Sequence, residues 1–136
     1  MFLSDDREWP APATNPENEA FFAAAAQGRL LYGRCRGCGK AHYYPRLSCP
    51  YCFAAEVDGV EASGRGTIYS YTVTGPASDR QVLAFVELAE GVRMLSNIVD
   101  APPDRLAVGA ALRVAFGRAG SVRVPVFVLE EARAGT

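Results

Sequence analysis

The spacing of apolar residues changes character twice along the chain. Between Pro16 and Gln27 it favours a helix: Ala20 to Ala26 are good helix formers, with Phe21 and Phe22 supplying bulk. Thr14 or Asn15 can cap it, Pro16 suits its first turn, Glu17 and Glu19 complement its positive end, and Gly28 is a stop. After Glu19 this helix carries almost no charge. Its small residues suit close packing, on the chain's own β region or on another chain. From Val57 onward the pattern is all β. Segments 57–63, 67–74, 82–88, 92–99, 111–116 and 122–129 are rich in Val, Ile, Leu, Tyr, Thr and Phe. Turn chemistry separates them: Gly64-Arg65-Gly66, Gly75 to Asp79, Glu90-Gly91, Ala101 to Asp104, and Gly117 to Gly120.

Within the strands, period two places Tyr69, Tyr71 and Val73 on one face and Ser70 and Thr72 on the other. Val82 to Leu88 is almost continuously apolar, which predicts a strand covered on both faces; Val92 to Ile98 alternates less cleanly. Pro125 predicts an edge strand or a bulge in the last segment. Five or six short strands with no helix long enough for a crossover fit a small closed barrel. An OB-fold comes first and a small sandwich second.

Between the helix and the β region lie all the cysteines, in two Cys-x-x-Cys pairs: Cys35, Cys38, Cys49 and Cys52. Each pair can wrap as a tight turn that points two sulfurs at one ion, and two such pairs have the layout of a closed, structural four-thiolate Zn2+ site. Gly39 permits a left-handed turn after the first pair and Pro50 stiffens the second. Leu30 to Arg34 reads as the strand into the first pair, and Tyr43-Tyr44 as the return strand. Metal binding in so small a module is folding free energy. Two other readings use the same cysteines. Cys49-Pro50-Tyr51-Cys52 is the tetrapeptide of glutaredoxins, a dithiol oxidoreductase site that needs a preceding strand and a long following helix; two structural disulfides are the other. His42 reads as an ordinary loop histidine. The fold class is mainly β: an arm (1–13), an N-terminal α-helix (14–28), a rubredoxin-like zinc ribbon (29–56) and an OB-fold barrel (57–136).

Composition narrows the function more than the fold. The 136 residues suit one domain, or a domain with a small metal module. A net charge of −1 and a pI near 5.8 argue against broad nucleic-acid binding by counterion release. No apolar run is long enough to span a membrane, and the start of the chain lacks the pattern of a signal peptide, so no membrane association and a cytoplasmic location are expected. Arg34, Arg36, Lys40 and Arg46 give the ribbon positive charge, either as a solvated surface offsetting the thiolates or as a contact for phosphates. Trp9, the single tryptophan, is either folded back on its own domain or docked on a partner.

One histidine cannot build a Ser-His-Asp or Cys-His system except around His42. Gly64-Arg65-Gly66 joins two strands and is turn punctuation, not a phosphate loop. Glu87, Glu90, Glu130 and Glu131 read as exposed surface. By elimination the chain reads as a non-catalytic module. A binding-module alternative is an OB domain that grips single-stranded nucleic acid, with Tyr69 and Tyr71 as stacking platforms.

These motifs, in order, resemble a known family. They are Cys35-Arg36-Gly37-Cys38-Gly39, Pro45-Arg46-Leu47-Ser48-Cys49-Pro50-Tyr51-Cys52, Gly64 to Val73, Val86-Glu87-Leu88-Ala89-Glu90-Gly91-Val92 and Val124-Pro125-Val126-Phe127. The chain resembles the zinc-ribbon-plus-OB-fold proteins associated with acyl-CoA enzymes, over about residues 14–130. The resemblance implies an accessory subunit of a thiolase, a thiolase-like aldolase or acyltransferase, a hydroxymethylglutaryl-CoA synthase or a hot-dog enoyl-CoA hydratase. It implies that catalytic residues lie on that partner, met in trans. It also implies that the OB module buttresses the active site, helps enclose the CoA thioester or bridges two enzymes, in lipid, sterol or aromatic degradation. Arg36 and Arg46 are then the candidate contacts to the CoA phosphates.

Overall fold

The structure is a computed structural model that describes residues 9–44 and 46–130. Residues 1–8 of the expected arm, Pro45 of the ribbon motif and Glu131 lie outside the described residues. Helix α1 runs Glu19–Ala25, shorter at both ends than the expected span. Asn15 and Asn18 explain the late start. The Asn15 side-chain oxygen accepts the N–H groups of Glu17 and Asn18 (2.9 and 3.0 Å), and the Asn18 oxygen accepts that of Asn15 (2.9 Å). Side chains that satisfy these donors hold the segment as a turn and defer the helix. At the other end Gly28 takes φ +77, with Gly28 N–H on Ala25 O and Arg29 N–H on Ala24 O, both 2.9 Å. That is a Schellman stop. A two-turn helix is not stable alone; Phe21, Phe22, Ala24 and Ala25 are buried, and the helix packs on this chain's own strands.

Strands β1 (Leu31–Cys35), β2 (Ala41–His42) and β3 (Val57–Glu61) form one sheet in the order β2-β1-β3. Two expectations are corrected here. The return strand is Ala41–His42, because Tyr43 and Tyr44 leave the ladder to pack their rings edge-on against Phe21, at 5.8 and 5.2 Å. The segment from Val57, expected as the first barrel strand, instead pairs with β1 from Leu31↔Glu61 to Cys35↔Val57. The barrel has no free edge to offer it.

The barrel consists of β4 (Arg65–Thr74), β5 (Gln81–Leu88), β6 (Arg93–Ile98), β7 (Ala111–Ala119) and β8 (Val122–Leu129), closed in the order β4-β5-β6-β8-β7. All neighbours are antiparallel except β6 and β8, which meet in parallel at Ile98↔Phe127. This is the OB-fold arrangement expected from the strand pattern, and closure excludes the sandwich. Pro125 lies where β8 pairs with β7, two residues before the β6 bridge at Phe127; its carbonyl accepts the hydroxyl of Ser96 in β6 at 3.1 Å.

Two face assignments differ from the simple period. A bulge between Ile68 and Ser70 shifts the register of β4, so Tyr69 does not share a face with Tyr71 and Val73. Strand β5 is apolar from Val82 to Val86 but covered on one face only: Val82, Ala84, Val86 and Leu88 are buried, while Leu83 and Phe85 point outward. One core joins the parts, running from Phe21 and Phe22 through Leu30 and Tyr32 to Ile68, Met94, Phe116 and Phe127. Trp9 is folded back. Its backbone N–H donates to Arg118 O (2.8 Å), its indole lies where a Cβ on Gly117 would be, and it joins Val99, Ala115 and Val126 in a second cluster.

Candidate metal centre

Strand β1 delivers Cys35 to the end of the ribbon, and the next residues turn back at once. Cys35 N–H donates to Lys40 O (3.0 Å) and Cys35 O accepts Gly39 N–H (2.9 Å). The second pair repeats this: Cys49 N–H donates to Ala54 O (2.8 Å) and Cys49 O accepts Phe53 N–H (2.9 Å). Each knuckle also aims backbone donors at sulfur. Gly37 and Cys38 N–H point at Cys35 Sγ (3.2 and 3.4 Å), and Tyr51 N–H at Cys49 Sγ (3.3 Å). Such donors stabilise thiolate over thiol.

The four sulfurs all lie within 4.8 Å of one another, and the shortest contacts run between knuckles: Cys35 to Cys52 and Cys38 to Cys49, each 3.6 Å. Tetrahedral zinc with Zn–S near 2.3 Å spaces its sulfurs about 3.8 Å apart, so the donor set fits that ion in number, softness and spacing. Cys35 and Cys49 are buried, Cys38 and Cys52 exposed. Protons are unevenly held among the thiols. Burial raises Cys49, but the N–H groups of Cys52 and Tyr51 and bonds with neighbouring thiols bring it down to about 7. The Ala54 N–H lowers Cys52, but the thiols around it and burial push it up to about 11.

His42 stands outside the sulfur group. Its imidazole packs on Gly33, where a Cβ would overlap it, and its Nδ1 lies 3.1 Å from Tyr44 O. The dithiol reading lacks its helix: after Cys52 comes a turn and then β3. Arg36 pairs with Asp58 (3.2 Å), and Asp58, Glu17, Leu47 and Arg46 line a groove of about 190 Å³. The carboxylates are spent structurally. Glu87 pairs with Arg93 (3.7 Å), Glu130 with Arg113 (2.7 Å), and Glu90 accepts the Ser63 N–H (2.8 Å). Of the proposed stacking platforms, Tyr69 already carries the Arg93 guanidinium 4.0 Å above its ring, and Tyr71 donates to Leu106 O at 3.3 Å.

The expectations overlooked one feature of this centre. Phe53 occupies in the second knuckle the place of Gly39 in the first, with φ +64 against +78. Laying the two Cys-x-x-Cys pairs against each other would have exposed it.

Comparison with known proteins agrees with this architecture. Residues 22–58 match the rubredoxin-like zinc ribbon domain of ChsH2, and residues 59–117 its C-terminal OB-fold domain. The chain is 41% identical over 105 residues to a probable enoyl-CoA hydratase alpha subunit of Thermomonospora curvata, covering 74% of this chain and 33% of that protein. It therefore spans about a third of that relative's length. It is 30% identical to the benzoylsuccinyl-CoA thiolase subunit BbsA of Thauera aromatica, covering 74% of this chain and 77% of BbsA. Among solved structures it superposes on a chain of the Ltp2-ChsH2(DUF35) aldolase with a TM-score of 0.74 and 37% identity, over 87% of this chain and 98% of that one. A zinc ribbon rooted on an OB-fold barrel, matched along both halves and across nearly all of a solved relative, makes this chain a member of the ChsH2 (DUF35) family.

Proposed function

We propose that the chain is a non-catalytic scaffold subunit of a thiolase-like acyl-CoA enzyme (a thiolase, aldolase or acyltransferase). One structural zinc ion on Cys35, Cys38, Cys49 and Cys52 holds its ribbon. The partner carries the catalytic residues, and this chain braces the partner and helps enclose the CoA thioester, with Arg36 and Arg46 toward its phosphates. The observation that carries the reading is the match over nearly a whole chain of the Ltp2-ChsH2(DUF35) aldolase, named as an assembly of two components. The chemistry supports it from the other side: among the described residues the carboxylates above are engaged in pairs or backbone bonds and the one histidine is packed on Gly33.

The test is co-purification of the full chain from its own cells. A thiolase-like protein of larger mass, recovered in fixed proportion with about one zinc per chain, is the expected outcome. A chain that runs alone and brings down no such enzyme would sink the reading. Salt-dependent binding of single-stranded oligonucleotides or dithiol turnover at Cys49 and Cys52 would replace it.

A further inference from the structure

The two knuckles share one backbone design and differ at one residue. Gly39 and Phe53 each donate an N–H to the carbonyl of the first cysteine of their pair, and each has a left-handed φ. That conformation suits glycine because a Cβ there crowds the neighbouring carbonyl; for a bulky residue it is an outlier. The knuckle itself does not call for a side chain at this place. A Cβ on Gly39 would meet nothing within 4 Å. Nor does the phenyl ring gain burial, for Phe53 is 79% exposed, the most exposed of the large apolar residues described. Leu47 and Tyr51, on the same turn of chain, are also exposed. A strained backbone and a bare aromatic ring therefore coincide, and neither serves the ribbon.

We propose that Phe53 is an anchor that seats in an apolar, acid-rimmed pocket on the thiolase-like enzyme; this rests on the scaffold reading above. The charge around the knuckle selects the occupant. From Arg34 to Ala55 the chain holds Arg34, Arg36, Lys40 and Arg46; the nearby acids are Glu56, Asp58, which takes Arg36, and Glu17, which takes the Leu47 N–H, so among the described residues Arg34, Lys40 and Arg46 have no carboxylate partner. A second copy docking through the same knuckle would bring like charges together. A different protein with acidic residues around an apolar pocket would meet these cations with complementary charge. A backbone that aims the ring in one direction has a use against a shaped pocket and none against a fluid bilayer.

The experiment uses the zinc-loaded full chain and the thiolase-like protein recovered with it, each purified, with dissociation constants measured for the parent, Phe53→Gly and Phe53→Ala. Both variants should bind about tenfold more weakly or worse, as loss of an aromatic anchor does. The thermal midpoint of the chain alone should rise for Phe53→Gly, which relieves the strain, and stay put for Phe53→Ala, which does not. Binding within twofold of the parent overturns the proposal. So does a loss of zinc or a lower midpoint in Phe53→Gly, which would make the ring part of the ribbon's own fold. Sedimentation with anionic phosphatidylserine vesicles that depends on Phe53, with enzyme binding unchanged, would make it a membrane contact instead. Recovery of no thiolase-like protein brings down the scaffold reading and this inference together; recovery with an indifferent Phe53 brings down the inference alone.

Discussion

Gly33 in the ribbon sheet and Gly117 in the barrel serve the same purpose: each leaves room for a ring. At Gly33 the His42 imidazole lies where a Cβ would be, and at Gly117 the Trp9 indole does. Neither glycine needs a left-handed backbone, so its value is the absent side chain, a close approach rather than a turn. Gly117→Ala should push Trp9 off β7 and cost about 1–3 kcal/mol, the usual range for overpacking. Trp9 is the single tryptophan, so intrinsic fluorescence reads the event directly, as a red shift in the folded state with a lower denaturation midpoint. An unshifted emission would mean that the arm packs elsewhere.

At the scale of elements, the ribbon leans on the proposed zinc more heavily than the barrel does. Its strands are short, and β2 has only two residues. Cys35→Ser and Cys52→Ser should each lose zinc and solubility, measured as metal content and recovery of soluble chain. A variant that stays folded and associates normally would show that the ribbon matters less. Zinc affinity should fall with falling pH, because the ion displaces protons from thiols. Cys52, at about 11, surrenders a proton at any ordinary pH, whereas Cys49, at about 7, surrenders one only below neutrality. The affinity should therefore drop more steeply per pH unit below about 7 than above it, in a competition titration with a chromophoric chelator.

The whole molecule is tied together by a shared core. Phe21 and Phe22 of α1, Leu30 and Tyr32 at the root of the ribbon, and Phe116 and Phe127 of the barrel belong to one cluster. Removing zinc should thus lower the thermal midpoint of the barrel as well as melt the ribbon. Trp9, packed on β7, reports that transition; a midpoint unmoved by chelation would make the ribbon an independent module. The barrel also presents Leu83, Phe85 and Leu95 outward on adjacent strands, with Phe85 directly across from Leu95.

Local chemistry was readable from the chain by itself. The strand count, the turns at glycine and proline, the stop at Gly28 and the two matched cysteine knuckles are set within a few residues of each other, where spacing and backbone preference dominate. That was enough for the mainly β class, the OB barrel and the family resemblance. Pairing between distant segments decided the rest. Val57–Glu61 went to the ribbon because the barrel closes without it. The bulge before Ser70 moved Tyr69 off the face of Tyr71 and Val73, and Leu83 and Phe85 stay uncovered on a strand whose composition suggested two covered faces. Trp9 found Gly117 more than a hundred residues away. No window of sequence contains those contacts, since each depends on which surfaces the closed barrel has already used.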